Sequence, residues 1–242
     1  MILIPYKAFA FFGVEAAVGY WRQAPSGTLE YQGDSLDLRN DLNLGDKNQV
    51  VARVKVELPL ALPNIYVMAT PMSFNGTKQL TRQITFGNKT FDTTAPIQSK
   101  LAMDHYDVAL YYPLPFLKTA TLGKLNVELG LNARQIKFDG AITGTVLGVT
   151  ETSSKNITLY VPMIYAGVQV KPVSTFSIEG EIRGIAYGSN HYYDYIGRLK
   201  VMPIGPLFIS GGYRSEQIKI DQSDVKADVT FSGPFVEAGV SF

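Results

Sequence analysis

The chain contains no cysteine, one tryptophan and two histidines. The missing thiols exclude disulfides and thiolate metal sites but leave the compartment open, since envelope and cytosolic proteins both occur without them. No segment approaches the ~20 consecutive apolar residues of a membrane helix. That excludes helical spans and is silent on spans built from strands. Charge is sparse: Asp, Glu, Lys and Arg make up 18% of the 242 residues, where soluble domains carry about 25%. Their balance, a net +1, gives no general pull toward nucleic acid. Nucleophile-elbow, P-loop, dinucleotide and HExxH patterns are absent. Helical patterning is missing too, because proline and glycine recur and apolar residues repeat with period two rather than 3.6.

What the sequence does contain is alternation. In LNVELGLNAR, 125 to 134, Leu125, Val127, Leu129, Leu131 and Ala133 alternate without fault with Asn126, Glu128, Gly130, Asn132 and Arg134. This is a strand with one dry and one polar face. In a soluble barrel or sandwich the dry face meets a core; in a membrane barrel it meets lipid and the charges point inward. Nine further segments read the same way: 13–24, 50–58, 65–74, 105–112, 157–170, 176–187, 192–201, 207–214 and 228–242. Pro71 weakens the third of these, since it leaves a donor missing from the ladder.

The links mostly alternate in length. Those at 25–49, 75–103 and 137–156 are long and polar, SEQIKIDQSDVKAD from 215 lengthens the last connection, and 59–64, 171–174 and 203–206 are short. The link near Ser189 and Asn190 is also short and breaks the rhythm. In a meander every second link lies at one end, so one rim carries long loops and the other tight turns, as in outer-membrane barrels. We therefore expect an all-β fold: a transmembrane antiparallel up-and-down β-barrel of ten strands, with eight or twelve as alternatives. Twelve would arise if the alternating QLTRQITFG at 79–87 belonged to a further pair of spans.

The charged faces of these strands are assigned to the lumen. They supply Glu15, Arg53, Lys55, Glu57, Asp107, Glu128, Arg134 and Glu179. Glu181, Arg183, Asp194, Arg198, Lys200, Arg214 and Glu237 complete the set, seven bases and eight acids. Near balance is what a narrow polar interior requires, because an unpaired ion there is costly. Tyr20, Trp21, Tyr66, Tyr111, Tyr112, Tyr160, Tyr187, Tyr193, Tyr195 and Tyr213 fall near strand ends, where amphipathic rings suit a membrane interface.

The last strand, GPFVEAGVSF, ends on Phe242 and resembles the assembly signal of bacterial outer-membrane barrels. The stretches GVEAAVGYWRQAPSG, LGDKNQVVARVKVELPLALPN and HYDVALYYPL resemble a family of small Gram-negative outer-membrane proteins with a GVEAGVGYW-like first strand and no settled activity. There is a looser resemblance to small outer-membrane channels for hydrophobic compounds, from which the chain departs in having more strands than the usual eight. The resemblance implies a bacterial outer-membrane location and as partners outer-membrane lipid, lipopolysaccharide and, through the C-terminal strand, the barrel-assembly machinery. MILIPYKAFAFFG does not read as a signal peptide, and we expect that a leader was removed ahead of it. Residues 1–12 are then a periplasmic or lumen-entering segment, and 13–242 a single barrel domain, expected as a monomer.

Chemistry is thinly represented. MDHYD, 103–107, sets His105 beside Asp104 and Asp107, and only Asp107 shares its parity. A rim histidine in a polar network explains it, and no local motif of the ten-stranded outer-membrane proteases is present, so no catalytic residue is assigned. Asp34, Asp37, Asp41 and Asp46 match no EF-hand and read as a solvated acidic loop. No metal or other cofactor is expected, and no nucleic-acid partner. The expected role is a passive channel for small solutes or hydrophobic compounds, with the charged residues shaping the path. The alternatives are a closed structural or adhesive barrel, in which those charges pair across the lumen, and an outer-rim hydrolase.

Overall fold

The computed structural model describes residues 13–59 and 62–242. The expected periplasmic or lumen-entering segment, 1–12, lies outside the described residues. The chain folds in order as β1 (Gly13–Tyr31), β2 (Ser35–Asp37), β3 (Lys47–Glu57), β4 (Asn64–Thr70) and β5 (Ser73–Lys78). There follow β6 (Ile84–Phe86), β7 (Lys89–Phe91), β8 (Ile97–Pro113), α1 (Leu117–Ala120), β9 (Leu125–Val146) and β10 (Val149–Val173). The last four are β11 (Phe176–Tyr187), β12 (Asn190–Ile204), β13 (Leu207–Asp221) and β14 (Val225–Ser241). Neighbouring staves pair antiparallel, and β14 pairs with β1 from Glu15↔Ser241 to Tyr31↔Val225, which closes the sheet. Pairing of β14 with β1 leaves neither terminal strand with a free edge toward lipid.

Ten staves make the wall, because β4 and β5 form one of them. Both pair with β8 in one register, Thr70↔His105 and Ser73↔Ala102, on either side of Pro71. The donor that proline lacks breaks only the ladder: Met103 N–H donates to Met72 O at 2.8 Å, and Met72 N–H to Asp104 Oδ1 at 2.8 Å. The twelve-strand alternative is not realised, since Ile84–Phe86 pairs only with Lys89–Phe91 in a small separate hairpin. The helical turn α1, in a link where no helix was expected, is a single turn four residues long.

Two of the long links are mostly strand. β9 and β10 stay paired as far as Val149↔Val146, so residues 137–156 extend the two staves upward, with β8 alongside β9 as far as Thr143. Pairing of β13 with β14 likewise continues to Asp221↔Lys226. The hairpin between β11 and β12 turns at once, using the positive φ of Gly188 (60°). The rim is therefore high at β9–β10 and low at β11–β12.

Alternation has the same hand throughout, but its polarity inverts with height. Toward the short-turn rim β8 points Val108, Leu110 and Tyr112 outward and His105, Asp107 and Tyr111 inward. Toward the long-loop rim it points Gln98 and Lys100 outward and Ile97, Leu101 and Met103 inward. In β9, Leu131 is 71% exposed on the outside, and Glu128, Asn132 and Arg134 are buried inside. The dry face of LNVELGLNAR thus faces out. Position 130 shares the inward parity of Glu128 and Asn132, and it is glycine because a Cβ there would lie 2.2 Å from the Leu110 carbonyl and 2.6 Å from Tyr111 Cβ.

This places an apolar belt around the lower half. Replacing outward Leu110 by Arg is expected to destabilise the inserted barrel by about 2–4 kcal/mol, while the same change at Gln98, above the belt, is near neutral. Denaturant titration of folding into phospholipid vesicles measures both.

Candidate functional site

The inward faces of the lower half carry a continuous ionic layer. Arg53 bridges Glu15 (2.6 Å) and Glu237 (2.9 Å), and Lys200 bridges Glu15 (2.9 Å) and Glu179 (2.5 Å). Arg198 joins Glu179 (3.2 Å), Glu181 (2.6 Å) and Glu237 (3.3 Å). Lys55 reaches Glu128 (3.1 Å) and Glu181 (3.7 Å), and its ammonium lies 4.7, 5.5 and 5.9 Å from the ring centres of Tyr66, Tyr111 and Tyr165. Such a cage of ring faces stabilises a cation that has left water.

A second cluster lies higher. Asp194 meets Arg134 (2.5 Å) and Arg214 (2.8 Å), and Arg134 meets Asp107 (2.8 Å). Arg214 meets Glu216 (2.5 Å), whose Oε1 also lies 3.0 Å from His105 Nε2 and 3.6 Å from Arg134 Nη1. Arg183 ties the two clusters together, 3.1 Å from Glu181 and 4.0 Å from Asp194. Every β-stave contributes to this layer or its aromatic lining. A void of about 20 Å³ beside Trp21, Arg53, Arg198 and Glu237 holds little more than one water-sized sphere.

Of the charged residues assigned to the lumen, fourteen sit in this layer, and Glu57, at the short-turn end of β3, is exposed. Glu216 and His105 belong to it and were not assigned there. Glu216 follows Arg214 by two residues and so shares its face, a signal masked by reading SEQIKI as a connection. His105 is wholly buried, with Nδ1 3.1 Å from Met103 O. Three rings expected at the interface lie inside instead: Trp21, Tyr66 and Tyr111 are essentially inaccessible. Their parity places them among the charges, where Arg214 stands 4.6 Å from the Trp21 ring and Arg183 4.7 Å from that of Tyr66. Tyr20, Tyr112, Tyr160, Tyr195 and Tyr213 do face outward.

Above the ionic layer lies an apolar chamber of about 370 Å³. Met103, Ile136, Ile218, Ala227, Val229 and Phe231 wall it, with Leu38 reaching in from the link after β2. Tyr192 is its floor: the ring meets the chamber, stacks 4.8 Å from Arg134, and its hydroxyl donates to Glu216 at 3.2 Å. The first and second long links pack together over the neighbouring lumen. Asp34 N–H donates to Thr85 O (2.8 Å), Gly87 N–H to Tyr31 O (2.8 Å), and Leu36, Leu42, Leu80 and Phe86 are buried between them. The four loop aspartates are already engaged by neighbouring groups, with Arg82 3.7 Å from both Asp34 and Asp41. Asp34 accepts from Thr85 N–H, Asp37 from Arg39 and Asn40 N–H, Asp41 from Asp37 N–H, and Asp46 pairs with Arg22 and Arg39.

No family model and no curated protein sequence matches the chain. Among solved structures it is similar to the outer membrane protease OmpT from Escherichia coli, with a TM-score of 0.52 at 9% identity, covering 95% of this chain and 96% of that one. The translocator domain of the autotransporter NalP from Neisseria meningitidis follows at TM-score 0.43 and 8% identity, covering 95% of this chain and 88% of that one. A Pseudomonas aeruginosa FadL homologue gives 0.37 at 7%, covering 96% and 90%. At 9% identity the likeness to the protease concerns the fold alone, that of an outer-membrane β-barrel.

Asp194 faces three arginines, so Asp194→Ala leaves buried positive charge unpaired. We expect a loss of about 3–5 kcal/mol in unfolding free energy. Glu57→Ala, outside the layer, is expected to leave the denaturation midpoint in vesicles unchanged.

Proposed function

We propose that this protein resides in the bacterial outer membrane, is closed to ions and hydrophilic solutes, and holds an apolar molecule in the outer half of its lumen. The observation that carries this reading is the apolar chamber seated directly on a buried ionic layer. A hydrated ion moving down the axis would have to displace side chains that already pair with one another. The expected polar path therefore gives way to the hydrophobic-compound form of the passive-channel expectation. Small-molecule sites are mostly apolar hollows of roughly 300–1,000 Å³ with a few polar groups, and the chamber falls within that range. His105 is committed to Glu216, Arg214 and Met103 O inside the barrel, which supports a structural role for it.

Two measurements test this. Refolded protein in planar bilayers is expected to give no single-channel steps; steps whose size changes with Arg183→Gln or Glu128→Gln overturn the closed-barrel reading. In phospholipid nanodiscs, a conjugated polyene chain is expected to quench the single tryptophan, Trp21, saturably. Ala227→Phe, which fills the chamber from β14, is expected to abolish the saturable part. Saturation that persists in this variant overturns the chamber as the site.

A further inference from the structure

The wall beside the chamber is not continuous. β10 pairs with β11 only from Val173↔Phe176 to Ile164↔Gly184, although β10 climbs on to Val149 and β11 to Tyr187. Continuing the register would set Met163 against Ile185, Pro162 against Ala186 and Val161 against Tyr187, and none of these is paired. Pro162 has no N–H to offer the ladder. A crevice of about 570 Å³ opens there, bounded by outward Leu131, Ile164 and Tyr193 and by inward Asn132 and Met163. It shares Ile185 with the chamber. Ile157 and Leu159, on the chamber-facing side of β10, pair with β9 but remain 42% and 38% exposed where β11 no longer flanks β10.

The height of the breach matters. It begins level with Leu131, at the top of the apolar belt, and Tyr160 projects outward just above, at 74% exposure. Interfacial tyrosine marks the boundary between acyl chains and headgroups. The chamber wall includes Lys155 and Lys219 and no carboxylate. Among the described residues Lys155 makes no ion pair, its ammonium lying 5.8 Å from the Tyr31 ring centre.

We infer that the β10–β11 breach is a lateral portal, through which a single-chain amphiphile with an anionic head passes between the outer leaflet and the chamber. The hydrocarbon chain occupies the chamber and the head rests by Lys155. This rests on the apolar-ligand reading above and adds the route and the chemical class. A bilayer route avoids exposing the chain to water, and the ionic floor stops it from passing down the axis.

The absence of cysteine gives a clean test. Cysteines are placed at Val161→Cys and Tyr187→Cys and bridged by a short bismaleimide, with bridging verified by mass. A polyene fatty acid is delivered from donor vesicles to nanodiscs, and quenching of Trp21 is followed in time. The quenching phase is expected in wild type and in the unbridged variant, and its loss on bridging. Equal rates before and after bridging overturn the portal and leave the chamber standing. No saturable quenching even in wild type overturns the chamber reading itself. Should the pair fail to fold, Ala186→Cys carrying a bulky thiol adduct on the lipid side replaces it, with the same two outcomes. Lys155→Gln is expected to weaken the fatty acid and not the matching alcohol; equal weakening of both overturns the head-group assignment.

Discussion

The structure depends on the need for charges inside a narrow closed sheet to satisfy one another. Lipid cannot solvate them, and the lumen is too small for bulk water. Desolvation of an ion costs several kcal/mol, recovered only when partners are close and well oriented. Arg183, between Glu181 and Asp194, makes the two clusters one network. Once that network exists, the barrel is filled across its lower half, and aromatic rings such as Tyr66 and Trp21 occupy what the ions leave.

Filling the lower lumen changes what the upper half has to do. Above the belt the outer face meets water and the inner face is sealed from below. The favourable arrangement there is that of a soluble barrel, apolar within and polar without. On three staves the change occurs within one step: His105 to Met103 on β8, Arg134 to Ile136 on β9, Glu216 to Ile218 on β13. The chamber is where the two regimes meet, which explains its ionic floor and apolar walls. The low β11–β12 hairpin then leaves the upper part of β10 without a partner on that side, while β9 stays paired with β8 as far as Thr143, and the wall opens where the chamber lies behind it.

Much of the architecture is legible in local pattern. All ten staves, their polar faces and the disturbance at Pro71 follow from residues within a few positions of one another, because the side-chain period of a strand is two. The short link at Ser189 and Asn190 stands out as a break in rhythm, and it marks the low rim. The polarity inversion is harder to read, because alternation continues unbroken while its meaning reverses. That is why SEQIKI passes for a loop and Glu216 goes unassigned.

The sequence by itself determined that this chain forms alternating strands with charges on one face, since that information is short-range. Only the tertiary structure decided which charges meet, that Tyr66, Tyr111 and Trp21 lie among them, and that β10 and β11 part above Ile164 and Gly184. Those outcomes depend on which staves stand side by side and how high each rises. Closure and register set both, through contacts between residues as far apart as Arg53 and Glu237.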